Sequence, residues 1–399
     1  DPQRPDSLAG EAVRAVLADS RGFLWMGVAG GGLQPLYLPA LDRGGFFSPL
    51  RRDPPFRRFS HDPSRENSLA EADVTVLLED REGLLWVGTA GEGLDCFDPR
   101  KETFTHHRYD PDALFSLGGN TVTCLLEDRF SHLWVGTEGT GLARYDRSTD
   151  RFVRLREDHG TPSVGTPTCL LEDRRGRIWV GTEGGLRRLD RARGVLVEVP
   201  EVRPPGEDAV TGMLEDDTGS LWIATRGGLC RYWPETGRFE AYGAREGLQG
   251  EEFNYGACVR GSEGELIFGG SGGLNAIRPG WLRRNLMPPG VAITGVAVEG
   301  APLDPMTLGS LAVVPLGPRD RSVTFTLAAL DFSSPERNRF SVKLEGFETS
   351  WVSLGFRNVV TYTNLDPGSY ALWVKAANAD GVESPPERLI RLTVPVPGW

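Results

Sequence analysis

Short apolar runs alternate with turn residues along the first two thirds of the chain, and no helical period is present. In the second of several similar units, Val74 to Glu79 and Leu85 to Thr89 predict two strands joined by a tight turn over Asp80 to Gly83. Leu94 to Asp98 and Phe104 to Tyr109 predict two more strands. Four antiparallel strands in such a unit are typical of one β-propeller blade.

Four units carry the same phrase in register, and looser copies precede and follow them. A Leu-Glu-Asp run is followed by Trp-Val-Gly-Thr or a near copy, and the key positions are spaced 61, 48, 45, 43 and 45 residues apart. These positions are Trp25, Trp86, Trp134, Trp179, Trp222 and Ile267. A period in the forties predicts a repeat architecture. The sequence therefore predicts an all-β fold that begins with six propeller repeats.

The last part of the chain has a different pattern. The repeat ends near Pro279, and the Pro-Pro-Gly run at 288–290 marks a boundary. Alternating runs then predict strands over Val291–Glu299, Ser322–Phe332, Phe340–Glu345, Thr361–Asn364, Ser369–Ala377 and Leu389–Val396. Tyr370 follows Asp366-Pro367-Gly368 in the manner of a tyrosine corner. We therefore expect a propeller over 1–287 and an immunoglobulin or fibronectin-III-like sandwich over 288–399.

Composition excludes several classes of protein. The net charge is −11, and no basic stripe with interleaved aromatic residues is present, so a nucleic-acid partner is not expected. No apolar run of 18 residues exists that would cross a membrane. The five cysteines lack C-x-x-C spacing, and their odd number argues against a disulfide framework. The five histidines show no metal-ligand spacing, so neither a metal nor a cofactor is predicted.

Most residues that suggest catalysis have a structural explanation. The repeated tryptophans suit the packing layer between blades, and the repeated Glu-Asp pairs suit turns. Ser271 lies in a Gly-x-Ser-x-Gly match at 269–273, but it falls in a strand–strand turn rather than a strand–helix elbow. No catalytic residue is therefore predicted.

The repeats resemble the two-component regulator propeller motif, Glu-Asp-x-x-Gly-x-Leu-Trp-x-Gly-Thr. The last part of the chain resembles the Y_Y_Y domain that follows such propellers, over 362–370 and 374–381. Ser131 replaces a turn glycine, Ile267 replaces a tryptophan, and Phe340 and Val342 stand where tyrosine is common. The combination is similar to the sensor region of hybrid two-component systems. This resemblance implies that the six repeats are part of a seven-bladed or double propeller.

This resemblance implies a periplasmic, non-enzymatic ectodomain that one transmembrane helix joins to a cytoplasmic output such as a histidine kinase. It implies an oligosaccharide or another small polar ligand, a homodimer through the Y_Y_Y domain, and membrane contact only through a helix beyond this sequence. The Val394–Trp399 stretch resembles the segment before such a helix. Because Asp1-Pro2 matches the phase of a blade connection, more propeller is expected upstream.

Ligands of propellers usually meet the face on which loops converge. Here that face is expected to hold the turns between second and third strands and the loops between blades. The candidate ligand-binding residues are Asn67, Glu92, Asn120, Glu138, Glu183, Arg226, Asn254 and Tyr255. Two alternatives remain open at this point: a glycan-active propeller enzyme and a non-catalytic scaffold that binds protein.

Overall fold

The computed structural model describes residues 8–10, 12–37, 57–157, 165–199, 209–281, 285–303, 313–317 and 320–396. Two compact units divide the chain, Asp1–Pro279 and Gly280–Trp399. Asp1-Pro2 and residues 397–399, on which two of the expectations depend, lie outside the described residues. Both units are built of β strands, as the sequence predicts.

In its described residues the first unit has six sheets that follow one another along the chain, and they are antiparallel except for one short parallel pair in blade four. Blade one holds β1 (Val13–Ala18), β2 (Phe23–Val28) and β3 (Gly32–Tyr37). Blade two holds β4 (Val74–Glu79), β5 (Leu85–Thr89), β6 (Leu94–Asp98) and β7 (Thr103–His107). Blade three holds β8 (Val122–Glu127), β9 (Leu133–Thr137), β10 (Gly141–Asp146) and β11 (Arg151–Arg154).

Blade four contains β13 (Pro167–Glu172), β14 (Ile178–Thr182), β15 (Gly185–Asp190) and β16 (Val195–Glu198), and the short β12 (Arg156–Glu157) pairs with β16 in parallel. Blade five contains β17 (Val210–Glu215), β18 (Leu221–Thr225), β19 (Gly228–Trp233) and β20 (Arg238–Tyr242). Blade six contains β21 (Phe253–Arg260), β22 (Leu266–Gly270) and β23 (Gly273–Ile277). Short 3-10 turns cover Ala244–Glu246 and Pro279–Trp281.

Each repeated tryptophan fills the layer between its own blade and the next one. Trp86 packs in one apolar cluster with Val122 and Leu133 of blade three, and Trp134 packs with Ile178 of blade four. The glycine after the Trp-Val pair lets neighbouring blades approach, because a Cβ on Gly88 would lie 2.8 Å from Val122 Cγ1. The packing interpretation of the tryptophans is confirmed.

The second unit is a sandwich of two sheets. One sheet holds β24 (Gly290–Val298), β25 (Ala301–Pro302), β27 (Ser322–Leu330) and β30 (Val359–Thr363). The other holds β26 (Val313–Pro315), β28 (Arg339–Glu345), β29 (Val352–Gly355), β31 (Gly368–Ala377) and β32 (Glu387–Val394), and a 3-10 turn covers Pro335–Arg337. The long strands match the prediction within a few residues, whereas β25, β26 and β29 are too short to give a periodic signal.

The core of the sandwich lies between the two sheets. Alternate residues of β27, such as Phe325, share one buried cluster with Val342 and Leu372 of the facing sheet. Phe340 and Val342 are buried there, so apolar side chains replace the tyrosines that the resemblance suggests without loss of the core. The tyrosine corner is confirmed, because the Tyr370 hydroxyl donates to the carbonyl of Asp366 at 2.8 Å.

Candidate functional site

The aspartate of each Glu-Asp pair is a buried hydrogen-bond acceptor within its own blade. In blade two, Asp80 Oδ1 accepts the backbone N–H groups of Glu82 and Leu84, and Oδ2 accepts the indole N–H of Trp86 at 2.8 Å. The same indole bond joins Asp19 to Trp25, Asp128 to Trp134, Asp173 to Trp179 and Asp216 to Trp222. These carboxylates are fully engaged in the fold, which supports the structural interpretation.

The glutamate of each pair reaches back to the preceding blade. Glu127 Oε2 accepts the backbone N–H of Arg81 at 2.9 Å. Equivalent bonds join Glu79 to Ser20, Glu172 to Arg129 and Glu215 to Arg174. A recurring carboxylate therefore connects neighbouring blades, and it is not an acid–base pair.

Two arginines strengthen this connection from the following blade. Arg147 of blade three donates to Asp80 at 2.9 Å and to Glu127 at 3.2 Å. Arg191 of blade four donates to Asp128 at 3.0 Å and to Glu172 at 3.3 Å. Charged bonds of this kind are stronger than neutral ones when the carboxylate is buried.

The turns that carry the predicted ligand residues occupy corresponding places in successive blades. The backbone N–H of Glu138 donates to the carbonyl of Thr121, and that of Glu183 donates to Thr166. Each turn is thus fixed by the segment that leads into the first strand of its blade. The side chains of Glu92, Glu138, Glu183 and Arg226 are exposed.

Some of the predicted residues are brought together and others are not. Arg226 lies over the ring of Tyr255 at 5.7 Å, and Glu92 pairs with Arg108 at 3.1 Å. Asn120 is engaged in the fold, because its Oδ1 accepts the backbone N–H of Tyr109. Asn254 is exposed, and neither Glu138 nor Glu183 forms an ion pair with any described residue.

A cavity of about 620 Å³ lies between the segment 61–70 and the outer strand β7, and we call it the rim cavity. Asn67 lines it, together with residues that the sequence reasoning missed. The missed polar residues are His61, Asp62, Arg65, Glu66, Ser68, Thr105, His106 and Arg108. Its volume falls in the range of small-molecule sites. Arg108 connects it to the predicted face, because its guanidinium also pairs with Glu92.

His106 fixes the wall of the rim cavity. Its Nδ1 lies 2.6 Å from Oδ1 of the buried Asp95, and its Nε2 lies 2.8 Å from the carbonyl of Glu66. Asp95 also accepts the backbone N–H of Ala70. Both ring nitrogens face acceptors, which favours the charged form of the ring, and the bond to Asp95 raises the pKa of His106. Both nitrogens of the ring are therefore engaged with groups of the fold.

The other suggestive groups have structural positions too. Ser271 lies in the turn between β22 and β23, and the described histidines belong to blades two and three or to the segment before blade two. All five cysteines are free thiols, and burial raises the pKa of Cys124 and Cys230 to about 12. In the described part of the chain, no cluster of histidine, cysteine and carboxylate side chains is arranged to hold a metal ion. The described residues also include no helix long and apolar enough to cross a membrane.

Two family models match parts of the blades and of the sandwich. Residues 68–91, 116–139 and 162–184 match the family described as two component regulator propeller. Residues 331–394 match the Y_Y_Y domain. The chain therefore carries two component regulator propeller repeats followed by a Y_Y_Y domain, as the resemblance implies.

Solved structures share this fold. The extracellular domain of the proposed hybrid two component system BT3049 from B. thetaiotaomicron has a TM-score of 0.63 and 22% identity, over 98% of this chain and 56% of that one. PorZ, a surface component of the type-IX secretion system of Porphyromonas gingivalis, has a TM-score of 0.51 and 17% identity, over 96% and 52%. The chain thus spans about half the length of both structures.

Likeness to enzymes is weaker. A virginiamycin B lyase from Staphylococcus aureus has 11% identity and a TM-score of 0.45, over 82% of this chain and 93% of that one, which is too low to bear on catalysis. No protein of curated function matches the chain in sequence.

Proposed function

We propose that this chain is the periplasmic ligand-sensing part of a transmembrane hybrid two-component receptor with a histidine kinase output. In this proposal it has no catalytic role. It binds an oligosaccharide or another small polar ligand and signals by a rearrangement of a homodimer. Two observations support this proposal. Regulator propeller repeats are followed by a Y_Y_Y domain in the chain, and its fold is similar to the extracellular domain of a proposed hybrid two component system.

The rim cavity is the observation that carries the ligand proposal. It presents an amide, hydroxyl groups, carboxylates and guanidinium groups around one opening. Groups of these kinds donate and accept hydrogen bonds at short spacing, as the hydroxyls of a saccharide require. The Arg108–Glu92 pair extends the same chemistry along the predicted face.

The dimer proposal is supported by aromatic residues at one end of the sandwich. Phe332 and Phe356 are 83% and 62% exposed. Asn338 donates to the carbonyl of Asp331, next to Phe332, and Arg339 lies over the ring of Phe356 at 5.5 Å. Both rings thus lie near the start of β28, where a second copy would remove apolar surface from water.

The test is thermal unfolding of the protein with a panel of plant, microbial and host oligosaccharides, with the oligomeric state followed in parallel. A saccharide at about 100 times its dissociation constant should stabilise the fold by about 2.7 kcal/mol. We expect a shift for one class of saccharide without formation of product. Product formation would instead identify an enzyme, and unchanged curves across the panel would contradict the saccharide proposal.

Two variants locate the site. Asn67→Ala removes an exposed amide from the rim cavity, whereas Tyr255→Ala removes the exposed ring beside Arg226. We expect Asn67→Ala to abolish the shift induced by the saccharide and Tyr255→Ala to keep it. The reverse result would move the site to blades five and six.

A further inference from the structure

A second cavity lies between the outer parts of blades three and four, and we call it the arginine cleft. It has a volume of about 410 Å³. Four arginines line it, Arg144, Arg154, Arg191 and Arg193. Trp134, Val153, Leu155, Leu189 and Val195 form its apolar walls. No described lining residue is acidic, although the whole chain carries a net charge of −11.

Arg144 is the central residue of the cleft. It lies on β10 opposite Trp134 of β9 and opposite Val153 of β11, so the three side chains share one face of blade three. Arg144 forms no ion pair or hydrogen bond with any described residue. Its guanidinium therefore keeps its donors available.

Blade five shows what such an arginine does when its carboxylate is available. Arg231 occupies the corresponding position opposite Trp222, and it donates to Asp216 at 2.6 Å. In blade three the matching acceptor, Asp128 Oδ2, is already bonded by Trp134 and by Arg191 from the next blade. Arg191 therefore forms the bond to Asp128 that Arg144 would form by analogy with Arg231.

Arg154 adds a second charge that no described carboxylate neutralises. Its guanidinium donates to the carbonyl of Leu117 at 2.9 Å and lies over the ring of Tyr109 at 5.5 Å. These contacts hold the side chain in place without cancelling its charge. Arg191, in contrast, is paired with Asp128 and Glu172.

We propose that the arginine cleft binds a small organic oxyanion, with a carboxylate, sulfate or phosphate group carried on an apolar body. A guanidinium matches the geometry of such groups with parallel hydrogen bonds. The apolar walls receive the body of the ligand, and the volume suits a small molecule. The site lies apart from the rim cavity and does not depend on the saccharide proposal.

Calorimetric titration of the whole protein tests this proposal with phenylphosphate, phenylacetate and benzenesulfonate. Benzyl alcohol supplies the apolar body without the charge, and inorganic phosphate supplies the charge without the body. We expect at least one aromatic oxyanion to bind more tightly than both reference compounds, with an affinity that falls as salt is added. The three oxyanions distinguish the type of anionic group.

Arg144→Gln should weaken that binding roughly tenfold or more, because a charge-assisted hydrogen bond is lost. Arg100→Gln is the matched control, since Arg100 is an exposed arginine in a turn of blade two. The circular dichroism of both variants should equal that of the parent, because Arg144 forms no hydrogen bond or ion pair with another described residue. Absence of binding by all three oxyanions, equal binding of inorganic phosphate, or unchanged affinity in Arg144→Gln would overturn the proposal.

Discussion

The indole nitrogen of Trp86 lies 2.8 Å from Oδ2 of Asp80, a carboxylate six residues earlier in the chain. Arg147 from the next blade donates to the same oxygen at 2.9 Å. One buried carboxylate thus fixes the turn, the tryptophan of its own blade and an arginine of the neighbour. Since burial of an unsatisfied charge is costly, these three partners depend on one another.

Asp80→Ala removes that acceptor and leaves the indole N–H and the Arg147 guanidinium without it. We expect the free energy of unfolding to fall by about 3 kcal/mol or more, measured by urea denaturation. Glu82→Ala, an exposed change in the same turn, should stay within about 0.5 kcal/mol of the parent. Equal losses in the two variants would contradict this role of Asp80.

Asp128 should make stability depend on acid pH. Burial alone would raise its pKa, but bonds from Trp134, His132 and Arg191 outweigh burial and lower the pKa to about 2. Because the pKa of Asp128 is lower in the folded state than its unfolded value of 3.8, the ionised carboxylate stabilises the fold above pH 3.8. This stabilisation is lost as the pH falls towards 2.

This loss should amount to about 2 kcal/mol for Asp128. Urea unfolding at pH 5 and pH 2.5 measures it, and Asp128→Asn should show a correspondingly smaller change between these two values. The parent and Asp128→Asn would respond equally to acid if the carboxylate were not responsible.

His106 should act in the opposite direction. Its pKa is raised by Asp95, so its contribution is full below the unfolded value of 6.5 and is lost as pH rises through the folded pKa. We expect His106→Gln to destabilise the protein more at pH 5.5 than at pH 9, in urea unfolding at both values. Thr105→Ala, an exposed change on the same strand, should keep the pH dependence of the parent.

Ser131 occupies a turn position that favours glycine. Its φ is 62°, close to the 78° of Gly83 at the corresponding position in blade two. Because a left-handed conformation is strained for residues with a Cβ, Ser131→Gly should raise the free energy of unfolding by about 1 kcal/mol.

Gly83→Ser is the reciprocal control for Ser131→Gly. A Cβ at Gly83 meets no atom within 4 Å, so only backbone strain should act. We expect a loss of about 1 kcal/mol in urea unfolding. A change of the same sign in the two variants would contradict the assignment of strain to this turn.

The exposed aromatic residues of the sandwich test the dimer proposal. Phe332→Ser and Phe356→Ser each remove an apolar ring that the fold of one chain does not bury. We expect both to weaken self-association in sedimentation equilibrium and to leave the free energy of monomer unfolding within about 0.5 kcal/mol. Phe130→Ser, an exposed ring of the propeller, should leave self-association unchanged.

The fold could be predicted because it depends on local, repeated patterns. Strand period, turn chemistry and the position of the tryptophans all recur from blade to blade. The bond between Asp80 and Trp86 can also be inferred from the sequence. In blade six both corresponding residues are replaced, by Gly261 and Ile267. Loss of two residues in the same unit is the signal that they interact.

The candidate sites could be predicted only in part. Asn67 was found by residue type and position, but the rim cavity depends on an irregular segment that brings His61 and Glu66 beside His106. Residue type and position also favour Asn120 as a ligand residue, yet its amide oxygen accepts the backbone N–H of Tyr109. The arginine cleft depends on which of two arginines reaches Asp128, and a single sequence does not reveal that choice.

The hydrogen bonds from the glutamate of one blade to the backbone of the preceding blade have a consequence for how such chains change in length. Glu127 and Arg81 are 46 residues apart, Glu172 and Arg129 are 43, and Glu215 and Arg174 are 41, which is about one repeat in each case. A duplicated unit would bring its own glutamate for the unit before it and its own backbone donor for the unit after it. Unequal recombination could therefore add or remove a blade without the evolution of a new interface.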